Sequence, residues 1–360
     1  SGGFGPMWKI MPSVDNLILF TASKFKPPWS YIRLFRTLYR NNYDIVAEGI
    51  AFLPRRGIYP IFTSLVFAAT RAPIRIGRRN TGRIGSMRLP EMGFMGREQM
   101  LKEKCSTKAK GKNRYLTHEL EIVHPEHRTR HESAYIFASQ GVPYHRKADE
   151  PSLAPDPAND MWARRTIRET WASADDLLIG VTLETTRAIK TWPIECFMEV
   201  VKKGIADNFK FVLLGLDKER ACQLKAPFPE SRILDLTGVT SLGQMISAIR
   251  QCDIFLSGDT GPSHIAQACR IPTVVLFGPS NEKEFGPADL GLHTLVLPPD
   301  RPPCRPCVLG PCVRGRSCIE SIPVQTVYDE IRRKAHRHRH GKHDQPWQPA
   351  LPPQKLLCII

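Results

Sequence analysis

What this chain of 360 residues lacks narrows it first. No run is long and apolar enough to span a bilayer; the most apolar stretch, Ile58 to Ala72, is broken by Pro60, Thr63, Ser64 and Arg71. The opening Ser1-Gly-Gly-Phe-Gly5 has no charged segment followed by an apolar one, so no secretory leader is expected. The closing Leu356-Leu-Cys-Ile-Ile360 carries its cysteine third from the end, and prenylation needs it fourth. Acid is scarce: 35 Asp and Glu stand against 51 Lys and Arg, a net charge of +16. That surplus favours anionic partners, whether nucleic acid, acidic headgroups or phosphorylated substrates. Aromatic residues are missing from the basic C-terminal run, where Arg332, Arg333, Lys334, Arg337, Arg339 and Lys342 alternate with His336, His338, His340 and His343. Without aromatics the run offers no stacking platform for bases, and nucleic acid is not the expected partner. This run, and a second from Lys102 to Arg114, read as solvated charge.

What is present reads as an α/β protein. Ten cysteines are too scattered, in too long a chain, for a secreted disulfide framework, which places the expected site of action in the cytoplasm. Strands are expected at 14–20, 43–47 and 72–77, with helices at 31–40 and 58–69 and a further helix at 132–139. The stretch 78–130 is polar and weakly patterned. Lys147 to Asn159 is rich in proline and small polar residues and reads as the core of a linker. Beyond it, strands at 176–181, 209–215, 253–257 and 272–277 alternate with helices at 193–204, 242–251 and 263–269, the pattern of a doubly wound parallel sheet. The expected organisation is therefore an N-terminal domain over 1–146, a linker over 147–175, a C-terminal domain over 176–330 and a disordered basic, proline-rich tail over 331–360.

The chemistry concentrates in the C-terminal half. Ser257-Gly-Asp-Thr-Gly-Pro-Ser-His-Ile-Ala266 follows a strand and opens a helix. Gly258 and Gly261 permit a tight turn and close backbone approach, and the helix start offers free N–H groups to an anion. Asp259, Thr260 and Ser263 add hydrogen-bonding groups, and His264 sits on the first turn; equally, Asp259 and Ser263 are residue types that merely cap helices. Upstream, a loop with Arg187 and Lys190 leads into Trp192-Pro193; its cations suit a diphosphate, or are solvated charge beside a core tryptophan. After Gly215, Glu219 either holds ribose hydroxyls or is an exposed acid at a helix start. Cys304, Cys307, Cys312 and Cys318 have spacings compatible with structural zinc, or are reduced packing thiols.

Taken together, Lys190-Thr-Trp-Pro, Phe211-Val-Leu-Leu-Gly215, Leu236-Thr-Gly-Val-Thr-Ser-Leu242, Gly258-Asp-Thr-Gly-Pro-Ser-His264 and Leu276-Phe-Gly-Pro279 resemble, in order and spacing, the lipopolysaccharide heptosyltransferases of glycosyltransferase family 9. The resemblance implies a GT-B-like fold of two Rossmann-like domains with parallel sheets. It also implies inverting, metal-independent transfer of a heptose-like sugar from a nucleotide diphosphate sugar, usually ADP-heptose, to a lipopolysaccharide core or related glycan. No cofactor beyond that donor is implied. Lys190 is then expected at the donor phosphates, Glu219 near the nucleoside, and Asp259, Thr260, Gly261 and His264 along the sugar diphosphate, with the helix start at Ser263 adding positive charge. Family members work at the inner membrane face, and the basic stretches suit peripheral contact with that anionic surface. The family's expected base is an Asp in an N-terminal Gly-Asp turn. Here Met11 to Phe20 already resembles a later family strand, so the N-terminal domain reads as incomplete and no base is assigned. The alternative is a nucleotide-sugar-binding protein whose catalysis is impaired.

Overall fold

The structure is a computed structural model that describes residues 28–43, 45–48, 59–78, 118–120, 153–173, 175–287, 289–300, 302–305, 307, 312, 314–340 and 356–359. The chain divides into two compact units, one of Ser1–Gly2, Ile18–Asp149 and Trp347–Ile360, the other of Gly3–Leu17 and Glu150–Pro346. The strand expected at 14–20 and the helix at 132–139 lie outside the described residues.

In the first unit, helix α1 (Pro28–Arg40) leads to strand β1 (Ile45–Glu48), helix α2 (Tyr59–Thr70) and strands β2 (Ile74–Arg78) and β3 (His118–Leu120). Leu34 and Leu38, four residues apart on one face of α1, are buried together with Val66 of α2. Four strands pair in parallel. The C-terminal strand, Leu356–Ile359, lies against β1, followed by β2 and β3. This corrects the expectation of a disordered tail at its far end. Four successive apolar residues, too few to read alone, find their ladder on a strand about 310 positions earlier in the chain.

The second unit has helix α3 (Pro157–Ala163), a π-helical turn at 164–169, and then alternating strands and helices. These are β4 (Leu178–Val181), α4 (Ile194–Ala206), β5 (Lys210–Leu213), α5 (Lys218–Lys225), β6 (Ile233–Asp235), α6 (Leu242–Arg250), β7 (Ile254–Gly258), α7 (Gly261–Ala268), β8 (Thr273–Leu276), α8 (Glu282–Phe285), β9 (Thr294–Val296) and α9 (Val324–His340). The six strands form one all-parallel sheet in the order β6-β5-β4-β7-β8-β9. Its central strands are apolar on both faces, as a parallel sheet covered by helices requires; Leu178 to Val181 and Ile254 to Gly258 are wholly buried. One face packs Phe197, Val200 and Val201 of α4 with Val327, Ile331 and Ala335 of α9. The other packs Ile246 and Ile249 of α6 with Ile265 and Ala266 of α7 and with Ile167.

Two boundaries move. The stretch 147–175, read as a linker, contains α3 and the π-helical turn, and both belong to the second unit. Its proline and small polar residues are the start of a helix: Asp156 accepts from the Asn159 N–H and Pro157 occupies the first turn. Asp160 then accepts from Ser247 at 2.6 Å and pairs with Arg250 at 3.1 Å, which fixes α3 on α6. The basic run from Arg332 is likewise not all solvated tail. Val327, Ile331 and Ala335 recur every four residues and face the core, while Lys334, 5 % exposed, donates to the Leu292 carbonyl. The charges hid a helical stripe narrower than the run itself.

Candidate functional site

Numbered within the second unit, the strand order is 3-2-1-4-5-6. The chain runs outward in one direction from β4 and in the other from β7, so the loops leaving these two neighbours diverge and open a crevice at the carboxyl ends of the strands. The loop after β4 carries Lys190, and the loop after β7 carries Asp259. Lys190 Nζ donates to Asp259 Oδ2 at 2.7 Å, and His264 Nε2 lies 3.6 Å from Asp259 Oδ1. Three of the residues expected at the site therefore meet at one carboxylate. Asp259 is a buried acceptor and not a helix cap; His264 is open to solvent on one side.

The electrostatics follow from that geometry. Burial by itself would push the Asp259 carboxyl up, but contacts from His264 and Lys190 outweigh it and hold it at about 2. The site is thus a fixed anion with two cationic or cation-capable groups around it, in front of the first turn of α7. That turn is organised by its own residues: Ser263 Oγ donates to the Thr260 carbonyl at 2.7 Å and lies 3.4 Å from the Thr260 N–H. Ser263 is accordingly a buried cap, with Thr260 at the N-cap position. Gly261 is exposed, and a side chain added there would meet nothing within 4 Å, so the helix start faces open space. Neither Gly258 nor Gly261 has a positive φ; a Cβ on Gly258 would lie 2.9 Å from Thr185 Cγ2 and 3.4 Å from the Lys190 carbonyl oxygen, the close approach expected there.

Lys190 is held from two directions. Within its loop Thr185 Oγ1 donates to the Arg187 carbonyl at 2.7 Å and lies 3.0 Å from Thr191 Oγ1, and residues 188–190 form a 3-10 turn. From the far end of the unit, Ser317 Oγ donates to the Ile189 carbonyl at 2.6 Å. Trp192 is core, 1 % exposed and edge-on to Phe197. The turn after β8 is clamped as well: Arg305 donates to the carbonyls of Gly278 and Ser280 and pairs with Glu282 at 3.1 Å, and Cys307 N–H donates to the Pro279 carbonyl. Arg305 and Ser317 were not singled out from the sequence. Their roles depend on a chain segment returning across the sheet, which leaves no local signature.

Glu219 is exposed on the first turn of α5, as either reading of it required. The loop before α5 is held by a residue the sequence did not flag. Glu184, just after β4, accepts from the Leu216 N–H at 2.5 Å, and Gly215 at φ +137° leaves room for that carboxylate. Leu216 and Val239 are 81 % and 63 % exposed on the adjoining loops after β5 and β6, which touch through the Gly238 N–H and the Gly215 carbonyl. A cavity of about 420 Å³ between the Lys190 loop and α5 is lined by Glu184, Thr185, Trp192, Asp217 and Arg220. A larger one of about 850 Å³, lined by Arg168, Asp253 and His338, lies at the amino ends of β4 and β7, away from Asp259.

The four clustered cysteines carry no disulfide, and among the described residues no three His, Cys, Asp or Glu side chains are placed to hold a metal ion. Burial, then the neighbouring thiols of Cys304, Cys318 and Cys312, push the Cys307 thiol up to about 11, and burial raises Cys318 too.

Fold and site together define an α/β protein with a Rossmann-like unit that brings Lys190, Asp259 and His264 together at its topological switch point. Residues 31–306 match Glycosyltransferase family 9 (heptosyltransferase), and the chain belongs to that family. Among curated relatives it is 27% identical over 106 residues to Lipooligosaccharide heptosyltransferase 2 of Campylobacter jejuni, a match covering 28% of this chain and 32% of the relative. The chain thus matches about a third of that relative's length. Among solved structures it is similar to a family 9 glycosyl transferase from Veillonella parvula, with a TM-score of 0.59 at 18% identity, over 82% of this chain and 74% of that one. It is also similar to the ADP-heptose lps heptosyltransferase II of E. coli, with a TM-score of 0.56 at 18% identity, over 93% and 88% of the two chains. The fold is the GT-B-like α/β fold of those structures.

Proposed function

We propose that this chain transfers a heptose-like sugar from a nucleotide diphosphate sugar to a lipopolysaccharide core or related glycan, with inversion and without a metal. The observation that carries the reading is the meeting of Lys190 and His264 on Asp259 in front of the α7 N-terminus. In an inverting transfer the acceptor hydroxyl oxygen bonds to the anomeric carbon as the bond to the diphosphate breaks. The electron pair leaves on the diphosphate and the hydroxyl proton passes to a base. What the site supplies is stabilisation of that departing charge. Lys190, His264 and the exposed start of α7 at Gly261 are fixed before the donor arrives, and preorganised charge of this kind costs no rearrangement during reaction. Asp259 keeps Lys190 and His264 aimed at one place.

The nucleoside fits the neighbouring loops. The exposed apolar side chains of Leu216 and Val239 offer contact to a base, and Glu219 offers a carboxylate to ribose hydroxyls. The donor is ADP-heptose or a close analogue, the acceptor a glycolipid, and the place of action the cytoplasmic face of an anionic membrane. The second unit holds the donor and the first unit serves the acceptor. No base is assigned.

Calorimetry with a panel of ADP- and UDP-sugars tests this directly. Binding of an ADP-sugar that weakens at least tenfold in both Lys190→Ala and Asp259→Ala is expected, with release of ADP when a glycolipid acceptor is added. Binding without release would favour the reading of an impaired, nucleotide-sugar-binding protein. No binding of any sugar nucleotide would end the proposal.

A further inference from the structure

The solvent face of α1 has an unusual composition. Trp29, Arg33, Arg36 and Arg40 follow one another at spacings of four, three and four residues and share one side of the helix, and Ile32 and Tyr39 flank that line. Trp29 is 71 % exposed, Ile32 51 % and Tyr39 53 %, and the three arginines are exposed with them. Arg71, at the end of α2, adds a further cation: its guanidinium donates to Tyr39 Oη at 2.9 Å and lies 5.3 Å from the ring centroid. Residues 28–43 contain no Asp or Glu. The opposite side of the helix is spent on the core, through Leu34 and Leu38 against Val66, so this face is not an accident of a loose helix.

We propose that this face of α1 lies flat on an anionic lipid surface. The inference deepens the membrane reading above and rests on it, but locates the contact on a helix and not on the basic stretches at 102–114 and 332–342. Apolar and aromatic side chains interleaved with arginine on one helical face match the two layers of a membrane interface. Trp29, Ile32 and Tyr39 enter the headgroup boundary, while the arginines reach back to lipid phosphates along their apolar stems. A second copy of the chain does not fit, because cations would meet cations. A nucleic acid would satisfy the arginines but leave Ile32 in their midst with nothing apolar to meet.

Co-sedimentation of the full chain with phosphatidylglycerol and phosphatidylcholine vesicles tests the inference. The protein is expected to bind the anionic vesicles only, and less at high salt. An interfacial arginine contributes about fivefold in partitioning, so Arg33→Ala with Arg36→Ala should lower binding about twenty-five-fold, and Arg33→Lys with Arg36→Lys should retain it. Trp29→Ser with Ile32→Ser should lower binding at unchanged charge. Vesicle binding by the double alanine variant equal to the parent's overturns the inference, as does failure of the parent to bind. Duplex DNA binding that is lost in the alanine variant while vesicles never bind overturns it in favour of a nucleic acid. Donor calorimetry on the same variants separates the two proposals: unchanged sugar-nucleotide affinity leaves the transfer reading standing whatever the vesicles show.

Discussion

Asp259 is the residue on which the site turns. A carboxylate 6 % exposed with Lys190 at 2.7 Å and His264 at 3.6 Å is expensive to bury alone and inexpensive to bury in that company. Because its folded pKa of about 2 lies below the ordinary 3.8, the ionised form favours the folded state. That contribution is present above pH 3.8 and is lost as pH falls toward about 2. At about 1.4 kcal/mol per unit it is worth about 2 kcal/mol. Acid unfolding of Asp259→Asn should therefore lack the loss of stability that the parent shows across that window. Lys190→Ala leaves Asp259 buried without its closest cation. Urea unfolding should show it less stable than the parent by about 1–3 kcal/mol, in addition to its loss of donor affinity. A Lys190→Ala protein as stable as the parent would mean that the pair is not formed in solution.

At the scale of elements, the site is a product of loops pinned from behind. The 3-10 turn Cys318–Ser321 presses on the turn after β8 so closely that a Cβ on Gly278 would lie 2.4 Å from Ile319 Cβ and 3.1 Å from its Cα. Backbone cannot give way as a flexible side chain can. Gly278→Ala should cost about 1–3 kcal/mol in urea unfolding and should weaken donor binding, because the turn it displaces adjoins Asp259. An alanine variant that binds donor normally would show that the clamp by Arg305 and Ile319 is incidental to the site. The sequence showed the strands and helices at this scale well. It missed α5, β6, α8 and β9, which are short, and it did not show α9, because the basic residues that cover that helix outnumber the apolar ones that seat it.

For the whole molecule, stability should follow pH through a residue far from the donor site. His293 is fully buried beside β9, 3.0 Å from Thr273 Oγ1, and burial with the nearby Lys334 lowers its pKa to about 4. The folded state therefore prefers the neutral ring. Its contribution is present above pH 6.5 and is lost as pH falls from 6.5 to about 4, by up to about 3 kcal/mol. His293→Gln should flatten the stability profile in that range, and an unaltered profile would place the proton elsewhere. Ligand linkage offers a second check at this scale. A sugar nucleotide at a hundredfold its Kd should stabilise the protein by about 2.7 kcal/mol, seen as a raised Tm, and at the same concentration should stabilise Asp259→Ala by no more than about 1.4 kcal/mol.

The sequence by itself determined the parallel α/β character of the second unit and the family. Both are written in local signals: strand and helix periods, glycine-bearing turns and a string of short motifs in fixed order. It also named Lys190, Asp259 and His264, but left open whether Asp259 was ligand or cap, because residue type and spacing are the same for both roles. Only the tertiary structure decided that Asp259 is not the cap, by bringing a lysine 69 residues away onto the carboxylate across the switch point of the sheet. It likewise decided that Ser263 is a cap, that residues 157–169 pack as part of a unit, and that Ser317 and Arg305 brace the loops. These outcomes rest on contacts between distant segments, and the free energy of such contacts is set by which surfaces the fold buries together.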